Sequence, residues 1–395
     1  MSTARAGRVE TLRVPLIAGV VVFHATRPFD PFDFYVKADT EVEALAIAVL
    51  FVGLWGMPLF FVLAGAAVWH SLGRRGPRAF VRERVARLFV PFVAGVVLLV
   101  PPQLHAGALA RGHHPSYLET LGDFFDVHWS WELPIPVDGE VFEPAHLWFL
   151  AFLFVFTLML LPLFHGIRRG GYGRVMGWVE ARPLTCLLAL GLVVVLAEAV
   201  LGIEDAGGWN RWAYPAFLML GFLLVARPTV AERVASRRRA LAVAGTLSFL
   251  VLAVTAGALH DRLGDALLGG GDLAAIAWRA GQGAAGWLLV LAAGALVLRE
   301  AAVGERGRRL SAGGRFSDWA REGVLPVYVV HQTVAVVLAA CVLSWPVAAG
   351  VQWIVLSVLT VTCSLALYEL LRRFQVTRAL LGMRRRHLRR NAPAS

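Results

Sequence analysis

Two ionisable residues, Arg13 and His24, interrupt the apolar run TLRVPLIAGVVVFHATRPF. Ten residues separate them, and eleven helical steps of about 100° return the second side chain to within roughly 20° of the first, so one helix face carries both. At about 1.5 Å per residue they lie roughly 16 Å apart along the axis, with Arg13 near one end and His24 well inside. An ionisable group at such depth is costly unless it faces a polar cavity or a partner. An imidazole with an ordinary pKa near 6.5 is largely neutral at pH 7 and suited to take a proton from a hydroxyl. Arg13 taken alone also fits a basic side chain reaching back to the membrane surface.

Three further groups have chemistry to offer. In RERVAR, Arg84 and Arg87 stand at i and i+3 with Arg82 close by. Several guanidinium forks together suit a multiply phosphorylated ligand, although an arginine-rich chain also places such residues at a membrane surface. In LPVYVVHQTV, Tyr328 and His331 are i, i+3 neighbours just after Pro326, whose ring favours a kinked helix start. In EPAHLWFL, His146 and Trp148 open an apolar run, where a sugar could stack on an aromatic ring. Glu198 and Glu369 sit near helix ends, placed to orient a histidine, pair with arginine or reach the interface.

Other chemistry finds no support. His113 and His114 are adjacent and share no helix face, and neither HExxH nor any equivalent metal spacing occurs, so no metal is expected. Cys186, Cys341 and Cys363 lie inside apolar runs without ligand spacing and read as packing residues. No Walker loop, dinucleotide fingerprint or G-x-S-x-G elbow stands out.

The elements that must carry these residues follow from composition. With 58% hydrophobic and 16% charged residues over 395 positions, the chain is a polytopic membrane protein rather than a soluble domain. The expected fold is an all-α integral membrane bundle of about ten helices, near 12–28, 44–69, 88–104, 147–164, 184–203, 212–226, 240–259, 273–298, 324–343 and 347–371. The first run is short and follows arginines, as a leader would, but no convincing small-x-small cleavage pattern follows, so it is kept as a span. Arginine clusters fall on alternate connections and in the tail, which places both termini in the cytoplasm by the positive-inside rule. The net charge of +11 is therefore read as topology, and no nucleic acid is implied. The expected organisation is one membrane domain over 1–371 and a basic cytoplasmic tail over 372–395, whose RRRHLRR run suits anionic lipid. The outer connection from His105 to Ala145 is expected to lack regular structure and to act as a lid or acceptor surface, or to form an interfacial aromatic belt. No internal repeat points to an inverted-repeat transporter.

The order of these motifs resembles the acyltransferase family 3 membrane proteins. RVETLRVPLIAGVVVFHA matches the family's basic residue, ten residues and histidine through Arg13 and His24, and Arg84 and Arg87 match its two spaced arginines. FFVLAG is similar to the family's FF-x-x-S-G, with Ala64 in place of serine, and Glu10 stands where aspartate is frequent. HLWFL and LPVYVVHQ resemble later segments of the glucan succinyltransferase branch, so the similarity runs from about residue 8 to 371.

That resemblance implies an acyl-coenzyme A donor, acetyl or succinyl, on the cytoplasmic side and O-acylation of a carbohydrate or other hydroxylated acceptor. It implies a bacterial inner membrane as the site of residence. Arg82, Arg84 and Arg87 would hold the donor's phosphates, and His24, with Arg13, would serve as catalytic base. Tyr328 or protonated His331 would face the oxyanion, and His146 and Trp148 the acceptor. Membrane lipids are the other expected partners, and oligomeric state is left open, a homodimer included. Two other readings compete: a proton-coupled exporter or flippase using His24, His331 and Glu369 as a relay, and a scaffold whose buried polar residues pair between helices.

Overall fold

The computed structural model describes residues 3–204, 207–303 and 314–384. It is a helical protein, and among the described residues the only strands are a two-residue antiparallel pair, His128–Trp129 with Val137–Asp138. Among the described residues, six helices are long and apolar enough to cross a membrane: Glu43–Leu72, Pro77–Ala110, Pro183–Leu201, Pro228–Leu263, Phe316–Val342 and Ala349–Leu371. The expected fourth span is bent by 52° between Ala145–Met159 and Leu161–Arg168, and counting that pair as one crossing gives seven. Pro162 explains the bend, because it has no N–H for the preceding turn and its ring crowds that turn's carbonyl.

The chain divides into two compact units, each built from separated segments. One comprises residues 1–12, 42–81 and 152–314. Its FFVLAG stretch is buried in helix Glu43–Leu72, where Phe61 stacks on Tyr214 at 4.4 Å, so this motif is a packing seam within the unit. Arg279, 1% exposed, donates to the carbonyls of Glu198, Ala199, Leu267 and Gly270 at 2.8–3.2 Å. A π-helical turn over Ala197–Leu201 breaks the regular bonding pattern around the first two of these carbonyls. Glu198 is fully buried there and accepts from the Asn210 N–H at 2.8 Å.

The other unit comprises residues 13–41, 82–151 and 315–395. Its central element is helix Arg315–Val342, packed on Ala349–Leu371 and on the second half of Pro77–Ala110. Gly95 permits the second of these packings, since a Cβ there would lie 2.6 Å from Leu147 Cδ1 and 3.3 Å from Val329 Cγ1. A larger residue would push apart the segments that bear His146 and Tyr328.

The outer connection is more ordered than expected. Ser116 caps helix Tyr117–Phe125 by accepting from the Glu119 N–H at 3.2 Å, and Glu119 Oε2 accepts from the Ser116 N–H at 2.6 Å. The earlier loop, residues 27–41, winds around Asp30, whose carboxylate is fully buried against Arg27 at 2.6 Å and the Phe32 N–H at 2.9 Å. The described part of the tail is folded as well: Gln375–Leu380 is a helix, and Leu381 and Met383 are buried.

Candidate functional site

Three chain segments of this second unit each contribute one histidine. His24 lies near the end of the continuous helix Thr3–Thr26, which tolerates Pro15. His146 sits in a 3₁₀ turn, Ala145–Leu147, just before helix Trp148–Met159. His331 lies one and a half turns past Pro326 in Arg315–Val342. Ring centroids are 5.0 Å apart for His24 and His331, 4.9 Å for His146 and His331, and 6.2 Å for His24 and His146. His331 and His146 are buried, whereas His24 is the partly exposed member.

Hydrogen bonds fix the protonation pattern of two rings. His146 Nε2 lies 3.1 Å from both the Tyr328 and Val329 carbonyls, which accept only, so Nε2 carries the hydrogen. His331 Nδ1 lies 2.6 Å from the Tyr328 carbonyl and carries its hydrogen for the same reason. Their other nitrogens, His146 Nδ1 and His331 Nε2, are lone pairs, and both are buried without a partner, as is His24 Nδ1. A buried acceptor is costly when left unpaired, and an O–H or N–H donor, water included, would satisfy these nitrogens.

The backbone around His146 is itself unusual. Ala145 has φ of 45°, in the left-handed region that residues with a Cβ rarely adopt. Such strain persists where the surroundings hold it, and here the Tyr328 hydroxyl donates to the His146 carbonyl. The hydroxyl proton of Tyr328 is thereby committed, so its place in the site is to hold His146. Just outside, Tyr35 donates to Glu143, tying the 27–41 loop to the segment leading into His146. Burial raises the Glu143 carboxyl above its ordinary range, against the opposing pull of the Tyr35 bond. Burial, then the Glu143 charge, raises the Tyr35 phenol further.

A polar network that sequence reading did not single out lies beside His331. Gln332 Nε2 donates to Gln103 Oε1 at 3.0 Å, Gln103 Nε2 to Thr333 Oγ1 at 2.9 Å, and Thr333 to the Leu99 carbonyl at 2.9 Å. Glutamines inside the apolar runs VPPQL and VVHQT were the available signal.

The other expected residues have the following surroundings. The side chain of Arg13 lies outside the described residues. Arg82 is exposed, Arg84 and Arg87 are partly exposed, and Arg87 pairs with Glu83 at 3.7 Å. A π-helical turn over Val85–Phe89 follows Arg84, closed by the Val90 N–H on the Val85 carbonyl, so Arg84 and Arg87 do not have plain α-helical spacing. Trp148 is half-buried beside Phe149. Glu369 accepts from Trp319 Nε1 at 2.8 Å and from Arg372 at 3.1 Å, with no described contact to a histidine. Among the described residues, no group of His, Cys, Asp and Glu has a metal-holding arrangement.

Apolar helices long enough to span a bilayer, with three histidines from separate segments brought together, define a membrane protein with an internal polar cluster. Residues 7–369 match the acyltransferase family 3 model, described as an acyltransferase domain, and the chain belongs to that family. No curated protein and no solved structure matches the chain. Membership of an acyltransferase family does not favour the exporter reading.

Proposed function

We propose that the protein is a membrane O-acyltransferase that moves an acyl group from acyl-coenzyme A to a hydroxyl of a carbohydrate or similar acceptor, with His24 as general base. The observation that carries this reading is the pair of buried lone pairs on His146 and His331 beside the partly exposed His24. The site accepts a hydroxyl hydrogen, which is what an acceptor alcohol brings.

In the proposed step His24 takes the acceptor proton while the alcohol oxygen bonds to the thioester carbonyl carbon. The carbon–sulfur bond then breaks, and the departing sulfur receives the proton from His24, giving an ester and the free thiol. Tyr328 keeps His146 in register, and the Nε2 lone pair of His331 helps orient the acceptor hydroxyl toward His24. Arg82, Arg84 and Arg87 take the donor's phosphates by bidentate bonds. Arg13 supports the same path from the first helix, and Trp148 lines the acceptor side.

The topology that suits this chemistry has ten crossings with both termini in the cytoplasm of a bacterial inner membrane. The donor then meets its arginines from inside. Acetyl and succinyl donors both fit, and the motif likeness favours the glucan succinyltransferase branch.

Calorimetry of coenzyme A and acetyl-coenzyme A binding to detergent-purified protein tests the assignment. Wild type and His24→Ala are expected to bind, and Arg84→Ala/Arg87→Ala is expected not to. A folded wild type that binds neither ligand and transfers no acyl group would sink the reading.

A further inference from the structure

The C-terminal segment, read from sequence as a basic tail, lies against the arginine-bearing helix. At Gly382 φ is +66°, and a Cβ there would stand 3.3 Å from the Arg87 Cα, 3.0 Å from Pro91 Cγ and 2.8 Å from Leu325 Cδ2. Glycine is required twice over, by its torsion and by this close approach. The turn is therefore seated on the backbone of the arginine segment and on the helix that also carries Tyr328 and His331.

Arg378 locks this turn. It is 2% exposed, and its guanidinium donates to Glu322 Oε1 at 2.5 Å, to the Arg372 carbonyl at 3.1 Å and to the Arg384 carbonyl at 2.9 Å through Nε. Both ends of the segment and the Glu322 carboxylate thus converge on one buried cation. The Arg384 side chain is left exposed. Only two residues beyond Gly382, its Cα lies within about 7.6 Å of the Gly382 Cα, beside Arg87. Arg87 pairs with Glu83 at 3.7 Å, and Glu322 and Glu369 pair with Arg372 at 3.8 and 3.1 Å, so the segment packs basic side chains onto the arginine-bearing helix. Planar guanidinium groups gathered in this way present forks that match phosphate oxygens.

Resting on the donor assignment above, we propose that Arg372–Arg384 forms the second wall of a phosphate-binding site, with Arg384 contacting the ligand beside Arg82, Arg84 and Arg87 and Arg378 as the positioning residue. The ligand class is a phosphate ester or diphosphate, carried by a nucleotide-bearing donor or by an anionic lipid headgroup. The buried clamp places the site on the folded body of the protein, which favours the donor.

The test uses the full chain in neutral detergent, titrated with coenzyme A and separately with inorganic pyrophosphate, and repeated in nanodiscs with and without anionic lipid. Arg384→Ala is expected to weaken coenzyme A binding about tenfold, and Arg384→Lys to recover part of it. Arg378→Lys is expected to raise the donor KM several-fold while leaving kcat and the acceptor KM near wild type, a split that general destabilisation would not produce. Thermal unfolding of each variant controls for loss of fold.

Wild-type affinity in folded Arg384→Ala overturns the proposal, as does an effect of Arg384→Ala that appears only with anionic lipid. Pyrophosphate binding that depends on Arg384, with no coenzyme A binding by wild type, removes the donor reading and keeps the phosphate site. Binding of neither probe by wild type overturns both.

Discussion

Tyr328 and His146 hold each other reciprocally: the phenol donates to the backbone carbonyl of His146, and the His146 ring donates back to the backbone carbonyl of Tyr328 at 3.1 Å. The second carbonyl also receives His331 Nδ1 at 2.6 Å, so a single peptide group orients two of the three rings. Rings held this way have their lone pairs fixed in direction, and under the proposed function that spares reorganisation during the reaction.

Tyr328→Phe removes the phenol from this pair and leaves the His146 carbonyl buried without that donor. The expected cost is about 1–3 kcal/mol of stability. Turnover should fall at least several-fold while coenzyme A affinity stays near wild type. Denaturant midpoints in detergent, together with kcat and donor KM, check this; an unchanged kcat would count against a positioning role.

Ala145 holds a torsion that glycine adopts freely, at a cost of about 1–3 kcal/mol. Ala145→Gly should therefore leave stability equal or higher, yet lower kcat, because the turn that presents His146 loses its rigidity. Ala145→Val should lower both. Thermal midpoints and turnover, measured side by side, separate the two outcomes.

The Gln103–Gln332 bond predicts non-additivity. Gln332→Leu strips a donor from the buried Gln103 oxygen and is expected to cost about 1–3 kcal/mol. The double change Gln103→Leu/Gln332→Leu should cost less than the two single changes together, since neither amide is then left unpaired. A double-mutant cycle gives the coupling directly, and strict additivity would mean the bond carries no net energy.

Burial raises the Glu143 carboxyl above its unfolded value. The folded chain then binds more protons than the unfolded one, so the contribution is complete below the ordinary glutamate pKa of about 4.3 and is lost as pH rises through the folded value. Protection of the 27–41 loop against hydrogen exchange should fall over that window in wild type. In Glu143→Gln it should stay flat.

The apolar core of the first helix was legible in its run from Val14 to Phe23, and the ten residues between Arg13 and His24 predict a shared face by helical geometry alone. Long apolar runs likewise marked the six clear spanning helices. The bend at Leu160 depended on how one proline is accommodated, and the order of the outer connection on a single capping serine, Ser116, both decided locally and easily outweighed by the surrounding polarity. His146 was read from its neighbour Trp148 as an acceptor-facing residue, yet the carbonyl that fixes its ring lies 182 residues further along the chain. Gln103 and Gln332 are 229 residues apart, and an uncharged amide in an apolar run gives no sign of such a partner.

One histidine comes from the first tenth of the chain, one from the middle and one from the last fifth. During synthesis His24 therefore waits through more than 300 further residues before His331 exists to meet it. Closing contacts of such separation is late and slow in folding, so the histidine cluster is among the last features to mature. A chain cut short between the arginine segment and Arg315–Val342 carries the arginines but at most two of the three histidines.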